Sequence, residues 1–109
     1  MANTFKLKTK ANVGVTTVGI YTATSPVTAT VVIGVTMANT SGSSINVGVG
    51  VTRASTDDVK LMKNVPIPQG SSFEFMAGNK VVLETTDTLT AESDVSNSLD
   101  VALTIMEIT

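Results

Sequence analysis

Few side chains in this sequence are suited to catalysis. Histidine and cysteine are both absent, so acid–base or nucleophilic chemistry would have to use carboxylates, lysines or hydroxyls. The only adjacent acidic pair is Asp57 and Asp58. In a strand these two side chains would point to opposite faces, and in a loop they would be solvated, whereas glycosidase carboxylates face each other across a cleft. We therefore expect no enzymatic activity and assign no catalytic residue.

A short stretch near the C-terminus is rich in oxygen-bearing side chains, which hard cations prefer as ligands. It lacks the glycine and the terminal glutamate of an EF-hand loop, and turn formation explains its serines and asparagine equally well. The absence of cysteine excludes disulfides and thiolate metal sites, and it fits assembly in a reducing cytosol. We expect no metal ion and no cofactor. The residues of the stretch are Asp94, Ser96, Asn97, Ser98 and Asp100.

A group of alternating lysines near the N-terminus is the first candidate for contact with a subunit or partner. Lys6, Lys8 and Lys10 share one face of segment 4–10, and the other face carries Phe5, Leu7 and Thr9. This pattern predicts an edge strand. The lysines either prevent edge-to-edge pairing or help to dock the protein onto a partner.

A pair of glycines is the second candidate for a subunit contact. Gly48 and Gly50 lie in a predicted strand, Ile45–Arg53, in which Ile45 and the valines at 47, 49 and 51 alternate inward. The opposite face is nearly bare. Glycine inside a strand often marks the close approach of another backbone or side chain, here that of a neighbouring subunit.

Period-two alternation recurs along the chain, and no helical period is present. We predict eight or nine short strands, with the strand from Thr28 to Met37 in the centre of a sheet because it is partly apolar on both faces. The fold predicted is all-β, a single two-sheet antiparallel sandwich with Greek-key or jelly-roll-like connectivity. One domain is expected to span residues 1–109, with a short N-terminal arm. The predicted core between the sheets contains Val47, Val49, Val51, Phe73, Phe75, Val101 and Leu103.

Local signals predict two turns and an inward position for a third aromatic ring. Pro68 and Gly70 suit the second and fourth positions of a type I turn, and Gly78-Asn79 suits a two-residue hairpin. Phe5 is expected to point inward, like Phe73 and Phe75. A carbohydrate-binding sandwich normally presents aromatic platforms, and a chain with one tyrosine and three inward phenylalanines offers little for this role.

Composition suggests that much of the surface is covered in an assembly. Charged residues make up 15% of the chain, against about 25% in ordinary soluble domains, and the mean hydropathy is +0.31. The net charge of −2 predicts no general attraction to nucleic acid or to an anionic membrane. Residues 1–10 contain no apolar stretch of the kind found in signal peptides.

Several turns and strand ends of this sequence form a recognisable set. They are residues 61–72 (LMKNVPIPQGSS), 78–84 (GNKVVLE), 87–89, 106–108, 20–23 (IYTA) and 37–40 (MANT). In these segments the sequence is similar, over most of its length, to the small, β-rich accessory virion proteins of tailed bacteriophages, of the decoration, neck or tail type. The resemblance implies a structural role in the virion and transfers no active-site residues.

The expected function is that of a non-enzymatic phage structural protein, with a capsid decoration protein as the first hypothesis. The alternatives are a neck, tail or fibre component of the virion, or a module that binds carbohydrate or a host surface. The expected partners are further copies of the chain, for example in a trimer at a threefold site of the lattice, and another virion protein such as the major capsid protein. No direct contact with nucleic acid or a membrane is expected. The expected location is the virion, assembled in the host cytoplasm.

Overall fold

The alternating sequence segments form strands throughout the described structure. The computed structural model describes residues 3–53, 58–75 and 81–109. Within these ranges there are nine strands and no helix. The strands are β1 (Asn3–Val13), β2 (Val18–Thr22), β3 (Ala29–Asn39), β4 (Ile45–Thr52), β5 (Val59–Ile67), β6 (Ser72–Phe75), β7 (Val81–Glu84), β8 (Thr88–Ser93) and β9 (Leu99–Ile108).

The strands form two antiparallel sheets. The first sheet has the order β1-β9-β3-β6, with β7 also paired to β3, and the second has the order β2-β8-β4-β5. The pairs are nested along the chain: β1 with β9, β2 with β8, β3 with β6 and β7, and β4 with β5. This nesting is the jelly-roll order. The predicted all-β, two-sheet sandwich is therefore confirmed, and β1 and β3 occupy the edge and central positions expected for them.

The core lies between the two sheets and follows the alternation of β4 and β9. Of the predicted core residues, the three valines of β4, Val101 and Leu103 are buried. Phe73 is only partly buried, and it packs against this core from β6. The side chain of Phe75 lies outside the described structure. Met37 on β3, directly opposite Val101, is fully buried in the same core.

Phe5 does not point into the core, contrary to the prediction. It is 69% exposed, and it lies directly opposite Met106 of β9. The neighbours of Met106, Ile105 and Glu107, are both buried, so alternation places Met106 and Phe5 on the outer side of the sheet. The apolar face of β1 therefore points outward, and its lysine face points inward, because the register with β9 sets the lysines opposite buried residues.

One local prediction, the type I turn at Pro68, differs from the structure. The preceding proline, Pro66, lies within β5 and is tolerated there because β5 is an edge strand with bulges in its register. The backbone N–H of Ser71 donates to the carbonyl of Pro68 at 3.1 Å, and Gly70 has a φ of 72°. The turn therefore begins at Pro68 and is of type II, since Gly70 at its third position supplies the positive φ. The predicted hairpin at Gly78-Asn79 lies outside the described residues.

Candidate interaction surface

An apolar row crosses the outer side of the first sheet. Phe5 of β1 lies opposite Met106 of β9, Met106 lies opposite Val31 of β3, and Val31 lies opposite Val82 of β7. Residues that are directly opposite in antiparallel strands project from the same side of the sheet and touch. The four side chains therefore form one continuous line across four strands. We call the side of the first sheet that carries this row the outer face.

The outer face concentrates the large apolar side chains that are exposed to solvent. Among the described residues these are Phe5, Leu7, Val15, Val59 and Val82. Phe5, Leu7 and Val82 all lie on the outer face, at 69%, 65% and 57% exposure. Single exposed apolar residues are common on proteins, whereas a contiguous group of this kind is typical of interaction sites.

A shallow groove lies on the same face, at the opposite end of β1. Its volume is about 260 Å³, and its walls are mainly small or apolar. The side chains that line it come from β1, β3 and β9, which are three of the four strands that carry the apolar row. The lining residues are Thr9, Lys10, Ala11, Thr36, Ala38, Asp100, Val101 and Ala102.

The centre of the outer face is nearly flat. Thr104 lies opposite both Leu7 and Gly34, midway between the apolar row and the groove. A Cβ atom added at Gly34 would meet only the Oε1 atom of Glu74, at 3.9 Å. A flat centre of small residues allows a second surface to approach the sheet closely.

The predicted contact lysines Lys6 and Lys8 lie on the other side of β1, and Lys10 borders the groove. Lys6, Lys8 and Lys10 are directly opposite Ile105, Leu103 and Val101, whose side chains are buried in the core. The Nζ atom of Lys6 forms an ion pair with Oε1 of Glu107 at 2.8 Å. Lys8 and Lys10 form no ion pair within the described part of the chain.

Lys6 belongs to a polar cluster that joins the two sheets. The hydroxyl of Tyr21, on β2, donates to Oε2 of Glu107 at 2.6 Å and lies 2.9 Å from Oγ1 of Thr30 on β3. Burial and the hydrogen bond to Glu107 raise the pKa of Tyr21 to about 12. The hydrogen bonds from Lys6 and Tyr21 hold the pKa of Glu107 below its ordinary value. The cluster thus fastens the edge strand β1 to the rest of the sandwich.

The predicted contact glycines are covered by the chain's own β5 and β8. A Cβ atom at Gly48 would lie 3.3 Å from the carbonyl oxygen of Met62, and one at Gly50 would lie 2.8 Å from that of Val59. Above this surface Lys60 forms an ion pair with Glu92, which lowers the pKa of Glu92. The close approach that glycine permits is therefore made within the molecule, at the bulged β4–β5 pairing. A subunit contact at these two glycines stays a prediction.

The oxygen-rich stretch near the C-terminus is used for local structure. Oδ1 of Asp94 accepts the backbone N–H of Asn46 at 2.9 Å, and Oδ1 of Asp100 accepts that of Asn12 at 3.0 Å. The buried hydroxyl of Ser98 lies 2.7 Å from that of Ser93 and donates to the carbonyl of Val95. In residues 3–53, 58–75 and 81–109, no three acidic side chains converge as a metal site. The same ranges hold no helix that is long and apolar enough to cross a membrane.

Comparison with known proteins gives a structural neighbour but no family. No protein-family model and no curated protein matches the chain. A solved structure from a study of Bacillus endospore appendages, described as a novel family of disulfide-linked pili, is similar with a TM-score of 0.57 and 12% identity. The match covers 97% of this chain and 86% of that one. At this identity it shows a shared fold alone. This chain contains no cysteine, so a disulfide link is not open to it.

Proposed function

We propose that this protein is a non-enzymatic structural subunit of a virion, and that it decorates the capsid as an accessory protein. The observation that carries the proposal is the apolar row Phe5–Met106–Val31–Val82 beside a shallow groove on one exposed face. Apolar surface of this kind promotes association unless another protein covers it. A subunit of a permanent assembly has such cover, which accounts for the sparse charge of the chain.

The sequence resemblance to phage accessory proteins and the shape of the sandwich support the same proposal. A jelly roll with nested antiparallel pairs has a well-packed core and leaves its two outer sheet faces free for contacts. In this setting the partners are further copies of the chain and a virion protein such as the major capsid protein. The location is the virion.

A second candidate function is that of a subunit in a filamentous structure, such as a tail, a fibre or a surface appendage. The specific observation that favours it is the shared fold with the appendage protein described as a pilus. A filament of this chain would be held without disulfide links, because the chain lacks cysteine.

Quantitative mass spectrometry of purified particles distinguishes the candidates. A decoration protein is expected to co-purify with heads at a copy number comparable to that of the major capsid protein. Enrichment in tails, or a copy number that is a small fraction of the capsid protein's, would favour the second candidate. Absence from purified particles would overturn the virion proposal. Particles produced without the gene serve as the control, and stripped particles should recover the protein when it is added back.

A further inference from the structure

We infer that the outer face is a twofold interface between two copies of this chain, in which Phe5 of each copy fills the groove of the other. The inference rests on the proposed function, which requires the chain to assemble. It goes further because it names the surface and the partner. A projecting aromatic ring and an apolar groove lie on the same face. A surface that carries both can pair with its own copy.

The spacing of ring and groove fits a twofold axis. Phe5 and Thr9 are separated by about 13 Å along β1, at about 3.3 Å per residue. Leu7 and the residue opposite it, Thr104, lie between them. The twofold axis lies in the interface and runs across the strands at the level of Thr104. Rotation by half a turn about this axis brings the Phe5 end of one copy over the groove end of the other. Both contacts form at once, as in any isologous pair.

The area of the face is sufficient for a specific dimer. Four strands spaced by about 4.8 Å, with about nine residues at about 3.3 Å each, cover about 550 Å² per copy. Two copies would bury about 1,100 Å², which reaches the about 1,000 Å² expected of a specific interface. Two sheets pack face to face at about 10 Å, and the small residues Gly34 and Thr104 in the centre permit this approach.

The alternative way for two copies to meet, through the free edge of β1, is disfavoured. Lys6, Lys8 and Lys10 line one side of that edge, and edge lysines oppose pairing between strands. The outer face has no lysine in its apolar row or at its centre. Pairing of two outer faces is therefore favoured over pairing of two β1 edges.

Cysteine crosslinking tests the geometry directly, because the wild-type chain has no cysteine. Thr104→Cys places one thiol next to the proposed axis, where two copies bring their thiols together. Thr52→Cys, at another exposed threonine, on β4 of the second sheet, is the matched control. Under mild oxidation we expect a covalent dimer from Thr104→Cys and monomer from Thr52→Cys. Equal crosslinking of both variants, or crosslinking of the control alone, would overturn the inference.

Sedimentation equilibrium provides the second measurement. Wild-type protein is expected to dimerise reversibly, and Thr104→Glu, which brings two carboxylates together at the axis, should raise the dimer Kd by at least about tenfold. Phe5→Ser should weaken the dimer as well. Both positions are exposed, so circular dichroism and the melting temperature should show a folded monomer. A wild-type chain that stays monomeric at all concentrations, or that forms only open-ended polymers, would contradict the inference.

The two proposals fail separately in these experiments. A crosslinked dimer of a protein that is absent from purified particles would leave the interface intact and remove the virion function. A protein that is abundant in particles but does not crosslink through Thr104 would keep the virion function and remove the twofold interface. If particles alone cover the outer face, Phe5→Ser lowers particle binding while the free protein remains monomeric.

Discussion

Tyr21 and Glu107 show how single residues fasten the two sheets. Tyr21 lies on β2, and its hydroxyl reaches Glu107 on β9 and Thr30 on β3. Glu107 also pairs with Lys6 of β1. The sequence pattern could place Glu107 on the inward side of its strand, but not its partners, because they come from 86 and 101 positions away along the chain.

The pH dependence of stability follows from this cluster. Because folding lowers the pKa of Glu107, its contribution is present above the ordinary value of 4.5 and is lost as the pH falls below it. Folding raises the pKa of Tyr21 from 10.0 to about 12, so its contribution is complete below pH 10 and is lost as the pH rises toward 12. We expect the free energy of unfolding, measured with urea, to decline at both ends of the pH range.

Two substitutions assign this pH dependence to the cluster. Glu107→Gln should reduce the loss of stability below pH 4.5, and Tyr21→Phe should lower stability at pH 7 by about 1–3 kcal/mol, since the hydroxyl bonds a carboxylate. The exposed Glu74 provides the control, Glu74→Gln. A control variant that flattens the acid limb as strongly as Glu107→Gln would show that the cluster is not its source.

Glycines 50 and 34 allow a matched test at single positions. Gly50→Ala forces a Cβ atom to within 2.8 Å of the carbonyl oxygen of Val59, so we expect a loss of about 1–3 kcal/mol. Gly34→Ala meets nothing closer than 3.9 Å and should be neutral or stabilising by about 0.4–1 kcal/mol. Denaturant midpoints of the two variants give the comparison. Similar losses in both would mean that β5 does not approach Gly50 as closely as the structure has it.

Among the elements, β1 shows which structural features the residue pattern can predict and which it cannot. Alternation of Phe5, Lys6, Leu7 and Lys8 predicted the strand and its edge position correctly. It predicted the wrong inward side, because the usual rule puts apolar residues inside and Phe5 is 69% exposed. Pairing with β9 decides the matter, since the lysines come opposite buried residues and the apolar side faces outward.

Two leucines of the first sheet test this orientation. Leu103 on β9 is fully buried, and Leu103→Ala should cost about 2–5 kcal/mol through lost burial and a cavity. Leu7 on β1 is 65% exposed, and Leu7→Ala should change stability by less than about 0.5 kcal/mol. Unfolding should be followed at concentrations at which sedimentation shows monomers. A large loss for Leu7→Ala under these conditions would mean that the outward side of β1 is covered within the monomer.

At the scale of the whole molecule, the sequence predicts the architecture better than the candidate site. Strand number, the two-sheet sandwich and the central position of β3 follow from local patterns of alternation and turns. The apolar row joins residues 5, 31, 82 and 106, which the jelly-roll order alone brings side by side. No local pattern contains that information. The lysines and glycines were predicted as contacts with a subunit or partner because they alternate along predicted strands. In the structure, Lys6 and both glycines make contacts inside the molecule.

The lysine side of β1 gives a prediction for how the whole molecule meets an acidic partner. Lys8 projects from the side opposite the outer face. Lys6 is excluded from the test because it pairs with Glu107, and Lys10 is excluded because it lines the groove. Lys8→Gln should leave self-association unchanged. If Lys8 helps to dock the protein, this variant should bind particles that lack the protein more weakly than wild type does, and with a shallower salt dependence, since exposed charges are screened within about 8 Å at physiological salt. Lys63→Gln, an exposed lysine on β5, is the control for net charge. Binding curves that coincide with wild type across the salt range would leave Lys8 with edge protection as its role.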